Sequence, residues 1–157
     1  MKAQKLFALP AVVALLTACS SGNQDRFDGP LCSIPSDLTQ LSGSYIGEGK
    51  GVNRLGPTIG SSKLDLKVDK HGIITGWRSW QSRNSYGFTK DGAKTKVDRE
   101  RVVGVIDASD CQIGLAETAE RGAFRGRLVS GGGIQLMLIE SGNQYVVKSE
   151  RYNRVGQ

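Results

Sequence analysis

His71 is the only histidine in the chain, so a catalytic triad or a histidine-bearing metal centre would have to use it. It stands in Asp69-Lys70-His71-Gly72. Aspartate and glycine there suit a tight turn, where a solvated ring is expected. No Gly-x-Ser-x-Gly stretch occurs to hold a hydrolase serine on a strained elbow. Gly47-Glu48-Gly49-Lys50-Gly51 has the glycines and lysine of a phosphate cradle. It fits neither dinucleotide nor P-loop spacing, and no helix follows to supply an N-terminal dipole. It reads as a flexible loop after a first strand. Asp107 with Asp110, and Glu117 with Glu120, are close carboxylate pairs. Both fall at predicted turns, where acids serve solubility more often than proton transfer. Two thiols and one imidazole have no usual zinc-ligand spacing. These residues assign no catalytic group, no metal ligand and no cofactor, and the chain is read as a non-enzyme.

The aromatic residues offer more. Trp77 and Trp80 are three apart, so on a strand they face opposite ways. One belongs to the core. The other, taken as Trp80, joins Arg78, Arg83 and Tyr86 in a candidate binding patch on the surface or at a barrel mouth. Tryptophan, tyrosine and arginine are enriched at interaction hot spots, and residues 79–88 (SWQSRNSYGF) interleave them with polar residues.

The chain opens with two lysines, Lys2 and Lys5, followed by an apolar run over residues 6–16. That run is far short of the roughly 20 residues a membrane-crossing helix needs, and it suits the apolar region of an export signal. It ends in Leu16-Thr17-Ala18-Cys19, which resembles the lipobox of bacterial lipoproteins. The resemblance implies residues 1–18 as a signal peptide, cleavage before Cys19, and diacylation of the Cys19 sulfur. A covalent lipid is then the only prosthetic group expected. Two or more acyl chains meet the requirement for stable anchoring. Ser20 follows where an aspartate would favour inner-membrane retention, so the resemblance points to the outer membrane, on its periplasmic side.

With Lys2 and Lys5 gone, the formal charge falls from +6 to +4. Acids are interspersed among the bases, which together with export argues against nucleic acid as a partner. Beyond Cys19, two cysteines remain, Cys32 and Cys111. In an oxidising compartment they are expected to pair. Closing a loop of about 80 residues would stabilise the fold by roughly 4.5 kcal/mol.

Residues 19–37 read as a lipidated tether and residues 38–157 as one β domain. The segment 20–30 extends at most about 36–40 Å, so the domain stays near the membrane. Residues 62–68 alternate polar and apolar, placing Leu64, Leu66 and Val68 on a core face. Turn signals at 69–72, 90–92, 107–110, 120–122, 130–133 and 141–143 separate further strands. About eight strands with short turns predict an all-β antiparallel up-and-down barrel, with a β-sandwich as the alternative. Leu64, Leu66, Val103, Leu136 and Leu138 are the expected inward residues.

The run from Leu41-Ser42-Gly43-Ser44-Tyr45 through Asp69-Lys70-His71-Gly72 to Ile73-Ile74-Thr75-Gly76-Trp77 resembles the opening hairpins of calycins, the avidin-like barrels above all. The resemblance implies the barrel fold. The chain lacks the later tryptophan-rich strands of avidins, so biotin binding is not implied. Two functions are expected. The first is a membrane-anchored, non-enzymatic module that binds an envelope protein as an accessory or inhibitory factor. The alternative is a lipocalin-like carrier of a small apolar ligand, since eight strands leave an interior that is either filled or holds one such molecule.

Overall fold

The structure, a computed structural model, describes residues 34–84, 98–143 and 145–156. A 3-10 turn, Leu38–Leu41, is followed by β1 (Gly43–Asn53), β2 (Gly56–Val68), β3 (Ile73–Asn84) and β4 (Asp98–Asp107). After these come β5 (Gln112–Glu117), β6 (Gly122–Val129), β7 (Gly133–Glu140) and β8 (Val146–Arg154). The strands pair antiparallel in chain order, and β8 pairs with β1 to close the barrel. The expected up-and-down barrel is the fold.

Register sets its dimensions. Followed once round the barrel from Lys67 on β2, the paired positions return to β2 at Pro57, a stagger of ten residues. Eight strands with that stagger tilt about 40° from the axis and enclose a cylinder of about 8 Å backbone radius. Such an interior is just wide enough for side chains to meet across the axis.

The end carrying the 3-10 turn is apolar. Leu64, Leu66, Val68, Ile74, Val102, Ile106, Ile113, Leu115, Leu128 and Ile134 are buried there or toward mid-barrel. Leu41 caps them, and the Tyr45 hydroxyl donates to the Leu41 carbonyl at 2.7 Å inside the core. Asp37 starts the 3-10 turn by accepting from the Thr39 amide at 3.0 Å. Asp69 accepts from the amides of His71 and Ile73 at 2.8 and 2.9 Å, and Gly72 takes φ +79°, a conformation open to glycine. His71 is exposed on this turn.

Three expectations are corrected here. Residues 47–51 are not a loop: they lie inside β1. Gly47, Gly49 and Gly51 sit at inward positions, and the outward Glu48 and Lys50 are exposed. A Cβ on Gly47 would lie 2.5 Å from the Tyr152 ring, and one on Gly49 2.6 Å from Glu150 Cγ. The glycines therefore clear one wall so that the large β8 side chains fit. Val103 is the second correction. It points outward and is exposed, because Val102 takes the inward place. The other four expected inward residues, Leu64, Leu66, Leu136 and Leu138, are buried. Third, Glu117 is not a solvated turn acid but the buried last residue of β5. The turn expected at 90–92 lies outside the described residues.

Candidate functional site

The barrel interior changes character beyond its middle. Arg78 on β3 is buried, and its Nη1 donates to Glu117 Oε1 on β5 at 3.1 Å. Its Nη2 donates to both oxygens of Glu150 on β8, at 3.1 and 3.3 Å. Lys148 Nζ and the Tyr152 hydroxyl each donate to Glu150 at 2.7 Å. Ser62 Oγ on β2 sits 2.9 Å from the Tyr152 hydroxyl. The guanidinium carbon lies 4.6 Å from the Trp80 ring centre and 5.0 Å from that of Phe124, within cation–π range. Arg78 thus ties three strands across the axis. Among the described residues, its Nε has no hydrogen-bond partner.

Burying so much charge is costly unless the charges pair closely. Glu150 meets that condition. Burial pushes its carboxyl up, but Arg78 and Lys148 outweigh this and hold it below the usual range. Burial beside the same carboxylate pushes the Tyr152 hydroxyl well up, so it stays a donor. Glu117 is different. Burial raises it most, Arg78 lowers it, and Glu100, Glu120 and Glu140 raise it again, to about 7. Glu100 is itself buried and accepts from the Ala119 and Glu120 amides at 2.5 and 2.7 Å, fastening the β5–β6 turn. One carboxylate oxygen from each of Glu100, Glu117 and Glu120 lies within 4.8 Å of the others.

The predicted aromatic patch is therefore divided. Trp77 and Trp80 do face opposite ways, but Trp80 is half-buried and shares the interior with Arg78. Arg78 and Trp80 come together inside the barrel and do not form a surface patch. The Arg83 side chain and Tyr86 lie outside the described residues, as do Cys19 and Cys32. Cys111 ends the β4–β5 turn at φ +64° and packs against the core.

Trp77 is the tryptophan on the outer wall, 43 % exposed, with Arg99 stacked 4.5 Å over its ring centre. Ile73, Val103 and Val105 are exposed on the same face of β3 and β4. Beside the indole runs a groove of about 550 Å³, lined among others by Ser44, Asp65, Lys67, Thr75 and Arg101. Lys63 pairs with Asp65 at 2.8 Å at its edge. Asp107 and Asp110 cap their own turn, accepting from the Ser109 and Gln112 amides at 3.0 and 3.1 Å.

Sequence reasoning missed Lys148, Glu150, Tyr152 and Ser62. The available signal was twofold: ionisable residues at every second position of β8, and glycines at every second position of β1.

No family model matches the chain, and no curated protein matches it. Among solved structures, it is similar to the S-type phycobiliprotein lyase CPES from Guillardia theta, at 11 % identity and a TM-score of 0.40. The likeness covers 76 % of this chain and 92 % of that one.

Proposed function

We propose that this chain is a lipid-anchored lipoprotein of the bacterial envelope whose barrel binds another protein without catalysis. Trp77 carries the reading. A large indole left 43 % exposed on a sheet wall, stacked by an arginine and set among exposed aliphatics, has the composition of an interaction hot spot. The groove beside it offers charges of both signs, Asp65 against Lys67 and Arg101, to orient a partner. Anchoring rests on Leu16-Thr17-Ala18-Cys19 and favours an outer-membrane partner. A Cys32–Cys111 disulfide fits this reading, because Cys111 and Ile34, two residues beyond Cys32, pack against the same core.

An apolar guest in the barrel finds less support. Arg78, Glu117, Lys148 and Glu150 occupy the interior above the packed leucines and isoleucines, and such a guest would leave those charges facing hydrocarbon.

The test is co-purification of tagged full-length protein from intact envelopes in mild detergent. A stoichiometric protein partner is expected. Trp77→Ala should lose it while keeping the thermal transition, and Cys19→Ser should lose it by losing the anchor. Undiminished capture by Trp77→Ala would refute the assigned face. Undiminished capture by Cys19→Ser would remove the anchor from the account.

A further inference from the structure

The buried charges of the described interior do not balance. Among the described residues, Glu100, Glu117 and Glu150 are buried carboxylates against two buried cations, Arg78 and Lys148. Glu150 takes contacts from Arg78, Lys148 and Tyr152. Glu100 is fastened by two backbone amides. Among the described residues, Glu117 accepts one guanidinium N–H, from an arginine it shares with Glu150. We infer that Glu117 carries the balancing proton and acts as a pH-operated clamp, with the β5–β6 turn held tight when it is protonated and loosened when it is charged.

Geometry links that carboxyl to the turn. Gly122, the first residue after the turn, leaves so little room that a Cβ there would fall 1.8 Å from Glu117 Oε2. Across from it, the Glu100 carboxylate holds the Ala119 and Glu120 amides, and its oxygen is within 4.8 Å of Glu117. A second negative charge beside Glu100 therefore repels the group that fastens the turn. The charged groups acting on Glu117 come from every side: Arg78 on β3, Glu100 on β4, Glu120 in the turn and Glu140 on β7. Glu150, Lys148 and Tyr152 on β8 act through Arg78. Three of the four neighbours that bear directly on it are carboxylates, and the midpoint of about 7 follows from burial and that crowding.

The sign follows from linkage. An opened turn hydrates Glu117 and returns it toward its ordinary 4.5, so the closed form binds the proton more tightly. Raising pH then favours opening. Between pH 6 and pH 8, opening should increase about tenfold.

The experiment is hydrogen exchange with mass spectrometry on the full-length protein in detergent micelles, following the peptide 117–123 at pH 6 and pH 8 after correction for intrinsic exchange. Protection should fall about tenfold in the native chain and stay flat in Glu117→Gln. Glu120→Gln, an exposed change that removes one like charge, should move the midpoint to lower pH, and it decides the matter if Glu117→Gln does not fold. Flat protection in the native chain, or an unmoved midpoint in Glu120→Gln, overturns the clamp. Restoration of protection at pH 8 by millimolar calcium would also overturn it, because a cation would then supply the balancing charge.

Discussion

Replacing Arg78 with Met keeps an unbranched apolar stem while removing the guanidinium, the hub of the interior network. Two carboxylates lose a partner. Glu150 keeps Lys148 and Tyr152, each at 2.7 Å, so it stays neutralised in part. Glu117 loses its guanidinium contact at 3.1 Å and keeps the crowding of Glu100, Glu120 and Glu140. Removing one side of a buried ion pair costs about 3–5 kcal/mol, a large share of the 5–15 kcal/mol typical of a folded domain. The loss should depend on pH. Near pH 6 Glu117 can take up a proton, and the cost falls toward about 3 kcal/mol; near pH 8 it rises toward about 5 kcal/mol. Urea unfolding followed by tryptophan fluorescence measures this, since Trp80 lies against the replaced group. Adding Glu117→Gln to Arg78→Met should recover about 1–3 kcal/mol at pH 8 by removing the orphaned charge. A loss under about 1 kcal/mol at pH 8, or no recovery in the double variant, would show that the network is not under the strain of burial described here.

Other consequences are local. Gly49→Ala drives a Cβ to 2.5 Å from the Ser149 carbonyl and 2.6 Å from Glu150 Cγ. It should destabilise the barrel by about 1–3 kcal/mol, seen as a lower urea midpoint. Tyr45→Phe deletes the buried donor to the Leu41 carbonyl and leaves that oxygen unpaired, for about 1–3 kcal/mol; the thermal transition should fall with no change in circular dichroism at 25 °C. With the proposed Cys32–Cys111 disulfide, Cys111→Ser should lower stability by about 4–5 kcal/mol, and a reducing agent should do the same to the native chain but nothing more to the variant.

What the sequence disclosed depended on how plainly hydropathy marks a face. Residues 62–68 alternate cleanly, and Leu64, Leu66 and Val68 lie inside as that pattern requires. Val102-Val103 offers two adjacent valines, so period two leaves their faces undecided, and the pairing of β4 with β3 and β5 settles it. The β1 glycines misled for another reason. Glycine has no side chain to register as inward, and a run of glycines looks like loop until the tyrosine, glutamate and lysine that fill its space are known. These come from β8, about a hundred residues later in the chain. In the sequence Glu117 looks like a turn acid, because charges normally face water. Only the pairing that brings β3, β5 and β8 round one axis supplies its arginine. The two tryptophans divided as their spacing of three demands, but which of them faced out was decided by the interior space that Trp80 shares with Arg78.

The seam between β1 and β8 also bears on how the molecule is made. Its pairs run from Tyr45 with Arg154 to Asn53 with Val146, joining the first strand to the last. Contacts between such distant residues form slowly, and a chain growing from its N-terminus cannot form them until β8 has been made. The same strand brings Lys148, Glu150 and Tyr152, so ring closure and the pairing of Glu150 with Arg78 are one event. A chain cut short before Val146 would lose both together. It would present an unpaired β1 edge and an arginine left with Glu117 but without Glu150, marking it as an open substrate for proteolysis before it could circulate as a nearly finished barrel.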